Sequence, residues 1–148
     1  MINTDELKAT GSVNIVIHDE NGKQKENFII PNLVVTSGLG FISSRMKDAT
    51  ATAMSHMGVG TGTTAASLAQ TALITSLGAR VALTSTTVTG AGIAYVATFG
   101  AGVSTGAITE AGIFNALTAG TMLCRTVFSV INKGSLDTMT ITWTITIS

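Results

Sequence analysis

Residues 137–148 read Asp137-Thr-Met-Thr-Ile-Thr-Trp-Thr-Ile-Thr-Ile-Ser148. Met139, Ile141, Trp143, Ile145 and Ile147 recur at every second position, and Thr140, Thr142, Thr144 and Thr146 fill the gaps. A period of two puts successive side chains on opposite faces of an extended chain, so this stretch is a β-strand with one apolar face. Each large side chain fully buried on that face contributes roughly 1.5–3 kcal/mol. The threonines are β-branched and favour the same conformation. Their face is free either to meet water or to pack in a subunit contact. Such a strand is expected between two neighbours, because an exposed edge invites unwanted pairing.

Strand signals extend upstream. "SVNIVIHDENGKQKENFII" (12–30) alternates through Val13, Ile15 and Ile17, turns at Asn21-Gly22, and returns to Phe28-Ile29-Ile30 before Pro31 stops it. From Arg80 onward, "ARVALTSTTVTG", "IAYVATFGAG" and "GTMLCRTVFSVI" are separated by turns expected at Gly90, Gly100–Gly102, Gly106, Ala119-Gly120 and Asn132–Gly134. Ile93, Tyr95, Ala97 and Phe99 fall on one side of their strand. Two segments read as helical. In "TSGLGFISSRMKD", Ser37 is the expected N-cap, Leu39, Ile42 and Met46 the apolar face, and Arg45 and Lys47 suit the C-terminal end of the dipole. "TAASLAQTALITSLGAR" is expected to hold a second short helix ended by Gly78. The fold class that follows is mainly β: an antiparallel β-sandwich or jelly roll with one or two short helices. Residues 1–10 read as a flexible polar arm and 11–148 as a single domain.

Composition limits function. Only 11% of the 148 residues are charged, eight basic and eight acidic, for a net charge of zero. That is far below the usual quarter and offers no electrostatic footprint for nucleic acid or an anionic membrane. Eleven of the sixteen ions lie in residues 1–50, and only Arg80, Glu110, Arg125, Lys133 and Asp137 follow. The sequence holds 25 threonines. Two readings suit this balance: a body covered by other copies or another protein, or a solvated Thr-rich sheet. The start lacks the basic and apolar regions of a secretory signal, and no run of about 18 apolar residues suggests a membrane span. Cys124, alone, rules out an internal disulfide and reads as a small apolar strand residue.

Motifs that would carry chemistry are weak. "GVGTGTTA" (58–65) lacks the Gly-Lys-Ser/Thr of a phosphate loop and the acid that follows a dinucleotide fingerprint, so it reads as a turn with special backbone angles. His18 stands in a solvated hairpin cluster without the alternating oxygens of a calcium loop, and His56 has no acid near it. No catalytic triad, carboxylate pair, metal or cofactor site is expected. Glu110 stands out as an ion in the apolar stretch "GAITEAGIFNA". Buried, it requires a partner, and Arg80 and Arg125 are the arginines at hand, for a pair that fixes strand register or joins two subunits. Alternatively it points to solvent from a loop.

"NLVVTSGLGFISSRM", "HMGVGTGTTAASLAQTAL…GAR", "ITEAGIFNA…GTMLCRTVF" and "DTMTITWTITI", in that order over residues 30–148, resemble a group of tailed-bacteriophage virion proteins. The group includes small head decoration (cement) proteins and modules of tail fibres and collars. The resemblance implies a β-sandwich or jelly roll, dimeric or trimeric, synthesised in the bacterial host's cytoplasm. It implies residence on the virion head surface, with the major capsid protein and copies of itself as partners. A "GxGxxA…ETALxxEVxR…ExGLFD" layout is also similar to fibre attachment domains, although here "SLGAR" carries no acid before Arg80. The alternative is therefore a tail, collar or baseplate component whose polar arm threads into a neighbour. An enzyme or sugar-binding module is disfavoured, because Trp143 and Tyr95, the only Trp and Tyr, sit in core phase.

Overall fold

In the computed structural model, which describes residues 5–148, the alternating stretch occupies the centre of a sheet. The strands are β1 (Ala9–His18), β2 (Gln24–Pro31), β3 (Leu33–Val34), β4 (His56–Gly60), β5 (Val81–Ala82), β6 (Ser85–Thr89), β7 (Gly92–Phe99), β8 (Gly106–Phe114), β9 (Met122–Lys133) and β10 (Thr138–Ile147). One helix, α1 (Thr36–Lys47), follows β3. The first sheet has the order β2-β1-β10-β7-β6 and the second β3-β9-β8-β4-β5, with every named pair antiparallel. The architecture is a two-sheet antiparallel β-sandwich.

β10 is held on both sides, by β1 from Ala9–Ile147 to His18–Thr138 and by β7 from Met139–Phe99 to Thr146–Gly92. Met139, Ile141, Trp143 and Ile145 are buried, and Ile147 is half-buried. Four large side chains of this kind contribute roughly 6–12 kcal/mol, an upper figure because the unfolded chain is itself partly collapsed. They meet Val13, Ile15 and Ile17 of β1, Tyr95, Ala97 and Phe99 of β7, and Met57, Val59, Ile108 and Ile113 from the second sheet in one core.

Several expectations are corrected. The proposed arm ends too late: residues 1–4 lie outside the described residues, but Ala9 and Thr10 belong to β1, because β10 offers ladder partners as far as Ile147. Val35 occupies the N-cap position of helix α1 without a side-chain cap, and Ser37 lies inside the helix with Oγ donating to the Met122 carbonyl at 2.9 Å. Of its predicted apolar face only Ile42 packs on the core, and Phe41 joins it there. Leu39 and Met46 are exposed, while Gly38 is buried because a side chain there would collide with the Leu123 carbonyl. No second helix forms over 61–80; that segment is irregular. Gly106 opens β8 instead of forming a turn, and β9 runs through Asn132 and Lys133 before turning at Gly134.

The 61–80 segment acts as a roof. Ala111 and Ile113 of β8 face the core, so Glu110, Gly112 and Phe114 face the other way. Leu73 packs on Phe114 there, in a small second cluster with Val35 and Met122. The sandwich therefore carries an extra layer of irregular chain on the outside of its second sheet.

Candidate functional site

Beneath this roof lies the one fully buried ion pair among the described residues. Arg125, on β9, reaches diagonally across the β8–β9 ladder to Glu110, and both side chains have no exposed surface. Nη2 and Nε of Arg125 stand 2.8 and 2.9 Å from Oε2 of Glu110. The carboxylate also accepts main-chain N–H bonds from Gly62 (3.0 Å), Ile74 (3.0 Å) and Thr75 (2.8 Å). Arg125 gives two further protons to Oε1 of Gln70 (2.8 Å) and the Thr64 carbonyl (3.0 Å). Gln70 in turn donates to the Ala65 carbonyl, and Thr109 Oγ1 donates to the Gly62 carbonyl. Burial by itself raises the carboxyl pKa of Glu110. The N–H donors of Thr75 and Ile74, then Arg125 and Gly62, outweigh it and hold the group below its ordinary range.

One ion pair thus fastens both ends of the roof to β8 and β9. It also explains the "GVGTGTTA" motif. The glycines at 58, 60 and 62 do not adopt positive φ, so the expected special backbone angles are absent. They provide space: a Cβ on Gly60 or Gly62 would come within 2.5 Å of Glu110 Oε1.

Of the two candidate arginines, Arg125 pairs with Glu110 and Arg80 does not. Arg80 donates from Nη1 to the carbonyls of Ala116 and Ala119, both at 2.8 Å, and lies 3.4 Å over the Phe114 ring. Its cation closes the end of the roof against the β8–β9 connection. No residue pattern points to Gln70, Ile74 and Thr75 as partners, since two contribute only main-chain groups.

Lys133 and Asp137, to which the sequence assigns no contact, are both buried. Nζ of Lys133 is buried and donates to the Gly100 carbonyl at 2.8 Å; burial lowers its pKa, with Asp137 opposing. Asp137 accepts from Lys25 Nζ at 2.9 Å and from the Gly134 N–H at 2.7 Å, and these bonds hold its carboxyl low. Asp19 accepts the N–H bonds of Asn21 and Lys23 and so closes the first hairpin. His56 Nδ1 lies 2.8 Å from Ser55 Oγ. Among the described residues, no three His, Cys, Asp or Glu side chains converge to hold a metal, and no helix is long and apolar enough to cross a membrane.

Placing the ions changes the surface. Of the five charged residues after position 50, Glu110, Arg125, Lys133 and Asp137 are buried and Arg80 is half-buried. The fully exposed ions of the described residues all come from positions 5–48. Across the outer face of the first sheet, register lines up Ile29, Asn14, Thr142, Val96 and Ser85 in one row. The next row is Pro31, Ser12, Thr144, Ala94 and Thr87. Neither row contains a charge.

An apolar groove of about 500 Å³ opens on the opposite side of the same sheet, beside β6. Helix α1 supplies Phe41, Ile42, Arg45 and Met46, and the sheet supplies Thr86, Ile93, Tyr95, Ile145 and Ile147. Burial, then the neighbouring Cys124, push the Tyr95 hydroxyl up to about 12, although Arg45 pulls the other way. No protein-family model, curated protein or solved structure matches this chain.

Proposed function

We propose that this protein is a structural component of a tailed-bacteriophage virion: a decoration, or cement, protein that binds the outside of the assembled head. The supporting observation is the surface left once the ions are placed. Residues 51–148 present almost no exposed charge, and the outer face of the first sheet is a five-strand field of hydroxyls and small apolar groups. Covering such a face with protein strands no ion, so broad contact carries little desolvation cost. The buried ion pair has a different part. It holds the roof rigid, so that little chain entropy is lost on docking. The order of motifs supports the same assignment by resemblance.

In this role the protein is not an enzyme, and its partners are the major capsid protein and further copies of itself. Because it binds the closed shell in preference to free capsid subunits, it stabilises the shell by mass action. The gain is about 2.7 kcal/mol per site at a hundredfold excess over Kd.

The test is to add the purified protein to phage heads that lack it and follow capsid melting. Saturable binding to the head with a higher melting temperature is expected. Unchanged melting, with binding confined to tails, would transfer the protein to the collar or baseplate. Absence of binding to any particle would overturn the assignment altogether.

A further inference from the structure

The two sheets have four edges, and they are not equally protected. β3 and β5, at the edges of the second sheet, are two residues each and offer little to pair with. β2, at one edge of the first sheet, carries Lys25, Glu26 and the terminal Pro31, the devices that natural edges use against strand addition. β6, at the other edge, reads Ser85-Thr-Thr-Val-Thr89. Every one of its residues is exposed, and it contains no charge, no proline and no glycine. It is the single long edge without a guard.

We infer that β6 is the edge on which two copies of this chain join, β6 against β6 in antiparallel sense, fusing their first sheets into one continuous sheet. Strand chemistry selects a second copy as the occupant. The two-residue turn at Gly90-Ala91 makes Thr89–Gly92 the first hydrogen-bonded pair of the β6–β7 hairpin, so Thr86 and Val88 turn their main-chain N–H and C=O groups outward. A dyad through Thr87 then lets Thr86 exchange both bonds with Val88 of the partner subunit, and the reverse. The side-chain pairs formed are Thr with Val and Thr with Thr, β-branched residues that favour cross-strand contact, and no like charges meet.

The groove supplies the area that a short edge lacks. A stable dimer buries on the order of 1,200 Å² or more, beyond what five residues provide. The dyad of an antiparallel edge pair stands perpendicular to the sheet, so both grooves fall on the same side and adjoin. Val88 shares the face of Thr86, which lines the groove. Val88 is 70% exposed and Met46, on the groove's rim, 78%. Pairing covers both.

This inference names the contact for the self-association included in the proposed function, and its test uses the free protein, so it stands or fails without reference to phage particles. Sedimentation and light scattering on the full chain, wild type against Thr87→Lys and Thr87→Glu, decide it. Thr87 faces solvent in the outer row, so both variants should keep the wild-type circular dichroism and cooperative unfolding, with melting lowered only by the lost dimer linkage. Across the dyad the two Thr87 Cα atoms sit about 4.5 Å apart, and like charges there should raise the dimer dissociation constant by at least about a hundredfold. Mixing the Lys and Glu variants should restore a heterodimer. A monomeric wild type would overturn the inference, as would variants that associate like the wild type or a mixture that stays monomeric.

Discussion

Removing Glu110 should cost far more than removing its partner, even though the two form one ion pair. In Glu110→Ala, Arg125 keeps two carbonyl acceptors but loses its counter-charge at a position with no exposed surface. Breaking a buried pair from one side costs about 3–5 kcal/mol. The buried Gly62 N–H is orphaned as well, adding about 1 kcal/mol or more, while Ile74 and Thr75 are exposed enough to find water. The total, about 4–6 kcal/mol, is comparable with the entire stability of many domains. In Arg125→Met the carboxylate retains three main-chain N–H donors, so a smaller loss of about 2–3 kcal/mol is expected. Urea unfolding followed by fluorescence of Trp143, the single and fully buried tryptophan, measures both. A 4 kcal/mol loss should lower the midpoint by about 2 M at a slope of about 2 kcal/mol/M. Glu110→Ala combined with Arg125→Met should cost less than the sum of these two single variants by about 1–3 kcal/mol. Equal single effects that simply add would refute the ion pair as the fastening of the roof.

Four further outcomes are expected. Gly60→Ala should destabilise by about 1–3 kcal/mol because its Cβ meets the Thr75 carbonyl and then the Glu110 carboxylate, whereas Gly40→Ala, in open space on α1, should stabilise by about 0.5–1 kcal/mol in the same urea assay. Ile141→Ala should cost about 2–5 kcal/mol and its neighbour Thr142→Ala, on the uncharged outer face, within about 0.5 kcal/mol; similar losses would contradict the assigned faces. Glu110 has a lowered pKa in the fold, so its contribution is complete above the ordinary value of 4.5 and is lost as pH falls through the folded value. Urea midpoints should therefore drop below about pH 4.5, less steeply in Glu110→Gln. Burial raises the Cys124 thiol well above its usual range, so a disulfide reagent should label it only after unfolding.

The strands were legible in the sequence because their signals are local. Alternation in β10 follows from consecutive residues, and Asn21-Gly22 and Gly90 mark turns that take positive φ at both glycines. Glu110 could be suspected from its isolation among apolar residues. The choice of Arg125 over Arg80 could not be read, because it depends on the β8–β9 register and the irregularity between Ile108 and Glu110. The stretch 64–80 reads as a short helix ended by Gly78. In the fold, however, the N–H groups of Ile74 and Thr75 are claimed by a carboxylate more than thirty residues away. A long-range acceptor defeats local propensity there. Helix α1 and its inward Ile42 follow from periodicity, but its closest approach uses Gly38 against a main-chain carbonyl, a contact that periodicity does not register.

The pairing of β1 with β10 also governs when this molecule can mature. Strands more than a hundred residues apart in the chain form the middle of the first sheet, so the β1–β2 hairpin must wait during synthesis for its neighbour β10. Such distant closures make β-rich chains slow, on the order of milliseconds to seconds. A stalled or truncated product would leave β1 and β7 bare along their inner edges. Quality control in the producing cell would meet that species as a sticky half-sheet rather than as a smaller version of the finished protein.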